Sequence, residues 1–367
     1  MTTGILALVQ QSALAQATQP DDSSIRLYLQ AAKILADDDA AKNIMSPAAS
    51  PMLFRNYPPM SDEWLRIEKQ DYDAHAQVRR LIHQAGLLNS GSLPPFDPQK
   101  NAMGSLVHLN EWRNMANEIA DAALYQSLIL HDQPAAFASA DDVLHLSELL
   151  ERPPGDDLVR MLVAIGIDHL DFQRLMTIIS SATITDDPGN SHDLPLTTAT
   201  DWISRLLNHP DVPAELGRAL QGERPGIIFN PIIWPTLTRI RENIRRVQTE
   251  RDFAAMSLAA HVYQYKHGRW PQNLDELKTQ LPRLPLDPWG DGRQTLGYAL
   301  IKSALPDGSD RPLVYSRCRL QSILFFQTDR PNYGFADSPG GQFRDIASWH
   351  PPENQNPQPT TQPLPLP

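Results

Sequence analysis

Apolar positions recur at intervals of three and four along most of the chain up to His267, and this spacing predicts a mainly helical body. Ser24 caps a first helix from Ile25 to about Leu35, with Leu27, Ala31 and Ile34 on one face. A second starts at Ser61, where Asp62 and Glu63 suit the positive end of the helix, and runs past Leu81 until Gly86 and the Asn89 to Pro98 cluster stop it. A third covers about Met103 to Leu130, with Leu109, Trp112, Ala116, Ile119 and Ala123 in register. Pro134 breaks it, and Ser139-Ala140-Asp141-Asp142 opens a helix to Leu150. The two form a helical hairpin similar to tetratricopeptide packing, although no clean period of about 34 residues repeats. Next come a helix from Asp157 to Ser180, a shorter one over Thr200 to Asn208, and another after Pro213. The Asp157 helix carries the stripe Leu158, Leu162, Ile165, His169, Phe172, Met176 and Ile179, which makes His169 a satisfied core residue. The last helix begins near Pro231 or Pro235 and ends at His267. Its first half is a solvated mixed-charge face of Arg239, Arg241, Glu242, Arg245, Arg246, Glu250, Arg251 and Asp252. Phe253, Met256, Ala260 and Tyr263 mark the packing face of its second half.

Length and charge narrow the function classes. A chain of 367 residues accommodates two or three domains. Its net charge of -11 argues against a nucleic-acid partner, because phosphate binding needs a basic surface. No stretch reaches the ~20 apolar residues of a membrane span. The one cysteine, Cys318, permits neither an internal disulfide nor a thiolate metal cluster. It lies between Arg317 and Arg319 in a strand-like run, Leu313 to Leu320, where alternation turns it away from both cations and leaves an inert thiol. At the N-terminus, Gly4 to Val9 is a short apolar run, and Ala15-Gln16-Ala17 fits the small-x-small cleavage rule. Residues 1–20 therefore read as a degenerate signal peptide, lacking the usual basic start, with a mature chain beginning near Thr18. The tail from His350 to Pro367 is rich in proline, glutamine and threonine and predicts disorder.

Nucleotide-binding glycine motifs, His-Glu-x-x-His and Gly-x-Ser-x-Gly are all missing from the sequence. His75 and His83, eight residues apart, read as two surface histidines on one helical side. The pairs Asp141-Asp142, Asp156-Asp157 and Asp186-Asp187 fall where capping and turn chemistry explain them.

A specific pattern begins after Arg239. The helix Phe253 to Lys266 leads into His267-Gly268-Arg269-Trp270-Pro271, then Asn273-Leu274-Asp275-Glu276-Leu277, then Leu284-Pro285-Leu286-Asp287-Pro288-Trp289-Gly290, and Tyr298 opens a strand. This segment resembles the soluble part of a type II secretion major pseudopilin, in which a long helix runs into an aromatic, turn-rich loop and a small antiparallel sheet. Gly268 supplies the left-handed residue that ends a helix, Pro271 prevents its resumption, and Asn273 caps a short helix. A second match, Ala336 to Gly341 and Asp345 to Trp349, resembles the calcium loop of that family. The resemblance implies Asp337, Asp345 and Ser338 as calcium ligands, although Gln342-Phe343-Arg344 replaces an acidic stretch and sets a cation beside them. The family's N-terminal hydrophobic helix does not precede this module. About 230 residues of helical body stand there, as in uncharacterised bacterial proteins with a pseudopilin-like tail, and Leu27-Tyr28-Leu29-Gln30-Ala31 is a further likeness to them.

The predicted fold class is α+β, mainly α: a helical-hairpin body over 21–230, a pseudopilin-like module over 231–349 in which a long helix packs on a small antiparallel sheet, and a disordered tail over 350–367. The expected role is a non-catalytic structural or protein-interaction protein of the cell envelope or periplasm, cytoplasmic if the N-terminus is not a signal. Its expected partners are proteins, and no cofactor other than calcium is implied. The alternatives are a component or partner of a secretion pseudopilus and an unrecognised hydrolase with a site between domains.

Overall fold

A computed structural model describes residues 23–42, 61–88, 98–151, 158–187, 189–209, 234–290, 292–302 and 310–316. Residues 1–20, the region after Pro213, Cys318, the Asp337, Ser338 and Asp345 calcium set, Trp349 and the 350–367 tail lie outside the described residues. The described chain is mainly helical with a small β content, as the α+β, mainly α class anticipates. It divides into two compact units, 1–178 with 210–247 and 179–209 with 248–367.

The first unit contains α1 (Ser23–Lys42), α2 (Asp62–Ala74), α3 (Ala76–Leu88), α4 (Pro98–Leu128), α5 (Gln133–Glu151) and most of α6 (Leu158–Ser181). Helix α1 packs on α3 and α4, α2 on α4, α3 on α5, and α4 on α5 as an antiparallel hairpin. The core is apolar where these faces meet: Tyr28 meets Trp112 edge-on at 5.2 Å, among Ile82, Met115, Ile119 and Leu146. Ser61 caps α2 by accepting from Trp64 N at 3.2 Å, as its sequence position predicts.

Four features depart from the sequence reading. The single helix expected from Ser61 past Leu81 is two, because the backbone leaves helical geometry at His75, with φ -101° and ψ 19°. Gly86 does not end α3; it permits close approach, since a Cβ there would lie 2.9 Å from His145 Nδ1 on α5. Helix α5 starts at Gln133 and not at Ser139, because Pro134 sits in the first turn, where its missing N–H is no loss, and Asp132 accepts from Ala135 N at 3.0 Å. The turn before it is closed by His131 at φ 54°. On α6 the buried face is wider than the apolar stripe and includes Asp168, Asp171 and Arg174, whereas Leu162 is exposed.

The second unit begins with β1 (Ile184–Thr185) and β2 (Leu194–Pro195), a short parallel pair, and α7 (Leu196–Asn208), which buries Trp202, Ile203, Leu206 and Leu207. The pair Asp186-Asp187, read from sequence as turn chemistry, lies between the two strands. Its Asp187 does act as a turn residue, accepting from Gly189 N at 2.8 Å.

Helix α8 (Trp234–His267) ends at Gly268, whose φ of 67° is the left-handed conformation predicted for it. From Phe253 to Tyr263 most of its residues are buried. Trp270 is buried and meets His261 edge-on at 5.0 Å. Asn273 caps α9 (Leu274–Lys278), accepting from Glu276 N at 3.0 Å. Strands β3 (Gly297–Ile301) and β4 (Arg311–Tyr315) then pair antiparallel, Gly297 opposite Tyr315 and Ile301 opposite Arg311.

Candidate functional site

Helices α2 and α3 carry one continuous inward stripe: Trp64, Glu68, Asp71, His75, Val78, Ile82 and Ala85, spaced alternately by four and three. Its ends are apolar and its middle is not. Glu68, Asp71 and His75 are each 1% exposed, so the stripe drives three ionisable side chains into the interior of the first unit. Helix α4 supplies Glu118 and Asp121, one turn apart and both buried, and α6 supplies Arg174.

His75 is at the centre of this cluster. Its Nδ1 lies 3.1 Å from Glu118 Oε2, as a hydrogen bond, and 3.1 Å from Asp71 Oδ1, as an ion-pair contact. Arg79 donates from Nη1 to Glu118 Oε1 at 3.1 Å and from Nη2 to the Tyr72 carbonyl at 2.5 Å, while its guanidinium lies 3.8 Å over the Tyr72 ring. Arg174 Nη2 reaches Asp121 Oδ1 at 3.2 Å and ties α6 to α4.

Burial sets the protonation states. It raises the Glu118 carboxyl to about 8, against the opposing effect of the His75 hydrogen bond. Glu68 is pushed well above the ordinary carboxylate range, first by burial and then by the charges of Asp121, Asp71 and Glu118. For His75, burial favours the neutral ring, but hydrogen bonds to Asp71 and Glu118 and their charges together outweigh it and raise the imidazole to about 10. The metal-free cluster is therefore satisfied partly by protons held on acids and partly by guanidinium groups.

Glu68 Oε2 is buried and accepts no hydrogen bond. Ligand atoms of Asp71, His75 and Glu118 all lie within 4.8 Å of one another, a donor set of one imidazole and two carboxylates. One turn before Arg174 on α6, both oxygens of Asp171 also lack hydrogen-bond partners, and burial with the neighbouring Asp168 raises that carboxyl well above its usual range.

The sequence reading placed His75 and His83 together on the surface. His83 is exposed and reaches Asp142 at 3.1 Å, but His75 is not, because its stripe faces α4. Asp142, read as a helix-start residue, lies inside α5 as the partner of His83. His169 is half-buried and bonded to Gln173 at 3.2 Å, in line with a satisfied histidine. Glu68, Asp71, His75 and Glu118 were missed; the available signal was a heptad stripe whose apolar positions give way to Glu, Asp and His. No family model, curated protein or solved structure matches this chain.

Proposed function

We propose that this chain is a non-catalytic structural or protein-interaction protein of the bacterial cell envelope, with a pseudopilin-like C-terminal module. One observation supports this most: the residues that carry the likeness hold the module together. Arg269 forms a two-pronged pair with Glu276 at 2.7 and 2.9 Å, Tyr298 donates to the Pro271 carbonyl at 2.9 Å, and Ser316 donates to both Asp287 oxygens at 3.0 and 2.8 Å. Trp289 is half-buried and donates from its indole to Thr249 at 2.9 Å. Each of these groups is engaged in scaffolding contacts rather than being presented for chemistry.

Among the described residues no helix is long and apolar enough to cross a membrane. Affinity purification of the full chain from envelope extracts tests the proposal. Recovery of stoichiometric protein partners is expected, and recovery of secretion-system pseudopilins among them moves the function to the pseudopilus itself. A monomer free of partners in every fraction contradicts both.

A further inference from the structure

We propose that Asp71, His75 and Glu118 bind one divalent transition-metal ion inside the helical body, pinning α2 to α4, with the Glu68 carboxyl beside them to complete the negative site. The first support is the donor set. Asp71 Oδ1 and Glu118 Oε2 each stand 3.1 Å from His75 Nδ1. Ligands about 2.0–2.2 Å from a common ion are separated by about 3.0–3.5 Å along a tetrahedral or octahedral edge, so each carboxylate oxygen already stands at neighbouring-ligand distance from the imidazole nitrogen, and ligand atoms of all three residues lie within 4.8 Å of one another.

The second support is independent of that spacing. Glu68 is 1% exposed, and its Oε2 has no hydrogen-bond partner. It lies one helical turn before Asp71 on the same buried stripe of α2. A buried carboxylate oxygen without a donor, set among other carboxylates, calls for a positive ligand.

The chemistry of the set selects the ion. An imidazole with carboxylates suits zinc, iron or manganese, whereas calcium takes six to eight oxygens and no nitrogen. The backbone helps by turning His75 out of helical geometry between α2 and α3, while Arg79 holds the far oxygen of Glu118. An outer partner of that kind orients a metal ligand. This site is separate from the envelope role, and either can fail without the other.

The test uses the full chain, stripped with a chelator and titrated with Zn²⁺, then Mn²⁺, by calorimetry and thermal melting. One ion per chain and a raised melting temperature are expected. Glu68→Gln and His75→Gln should each weaken binding by at least the roughly 10–100-fold that loss of an outer-shell partner costs. Asp142→Asn, at the separate His83 pair, should leave binding unchanged. Glu68→Gln gives up no hydrogen bond at Oε2, so it carries the test if His75→Gln does not fold. Absence of saturable binding up to millimolar zinc overturns the proposal. So does binding of wild-type strength in both cluster variants, or binding abolished by Asp345→Ala, because each places the ion elsewhere.

Discussion

At Arg79 one guanidinium serves the Glu118 carboxylate, the Tyr72 carbonyl and the Tyr72 ring together. Arg79→Met keeps most of the volume and removes the charge, leaving buried acids uncompensated. The expected loss is about 3–5 kcal/mol of unfolding free energy, read from urea curves. Glu68→Gln in metal-free protein should change stability little, because Oε2 has no hydrogen bond to lose and burial already disfavours the charge that the substitution removes. The pH dependence has a definite sign. His75 rises from 6.5 to about 10 on folding, so its stabilisation is complete below pH 6.5 and is lost as pH climbs through 10. Glu118 rises from 4.5 to about 8, and the folded state again holds its proton more tightly, which adds a loss in the same direction. Metal-free protein should therefore weaken from pH 6.5 to 9, by up to about 1.4 kcal/mol per pH unit for each proton released. A flat urea midpoint over that range contradicts the assignment. None of this was legible from motif searches, because Glu68, Asp71, His75 and Glu118 match no linear signature. Their meaning comes from which face of α2 and α4 is buried.

At the scale of elements, the termini and caps written into local sequence were readable, and the tertiary adjustments were not. Ser61 and Asn273 cap where side-chain chemistry says they should, and Gly268 takes the left-handed turn. Pro134 and Gly86 misled because a breaker residue is tolerated in a first turn or at a close helix contact, and only packing shows which applies. The β1–β2 pair is two residues long and parallel, too short for alternation to reveal. In the hairpin, Gly297 faces the Tyr315 ring so closely that an added Cβ would collide with it. Gly297→Ala should cost about 1–3 kcal/mol, and pairing it with Tyr315→Val should restore part of that loss. Equal destabilisation with and without the second change would show that the ring is not the obstacle.

At the scale of the whole molecule, the helical class was legible because three- and four-residue periodicity is strong along α1 to α8. The buried charge was not, since an ionisable residue on an inward stripe looks like an ordinary surface residue until the facing helix is placed. The proposed role unites a helical body, able to present surface to protein partners, with a C-terminal module whose distinctive residues are engaged internally. The most direct measurement is the mature N-terminus and compartment of the native protein, by mass spectrometry of fractionated cells. An envelope protein predicts a chain beginning near Thr18 in the periplasmic or envelope fraction. An intact Met1 recovered only from the cytosol would contradict it.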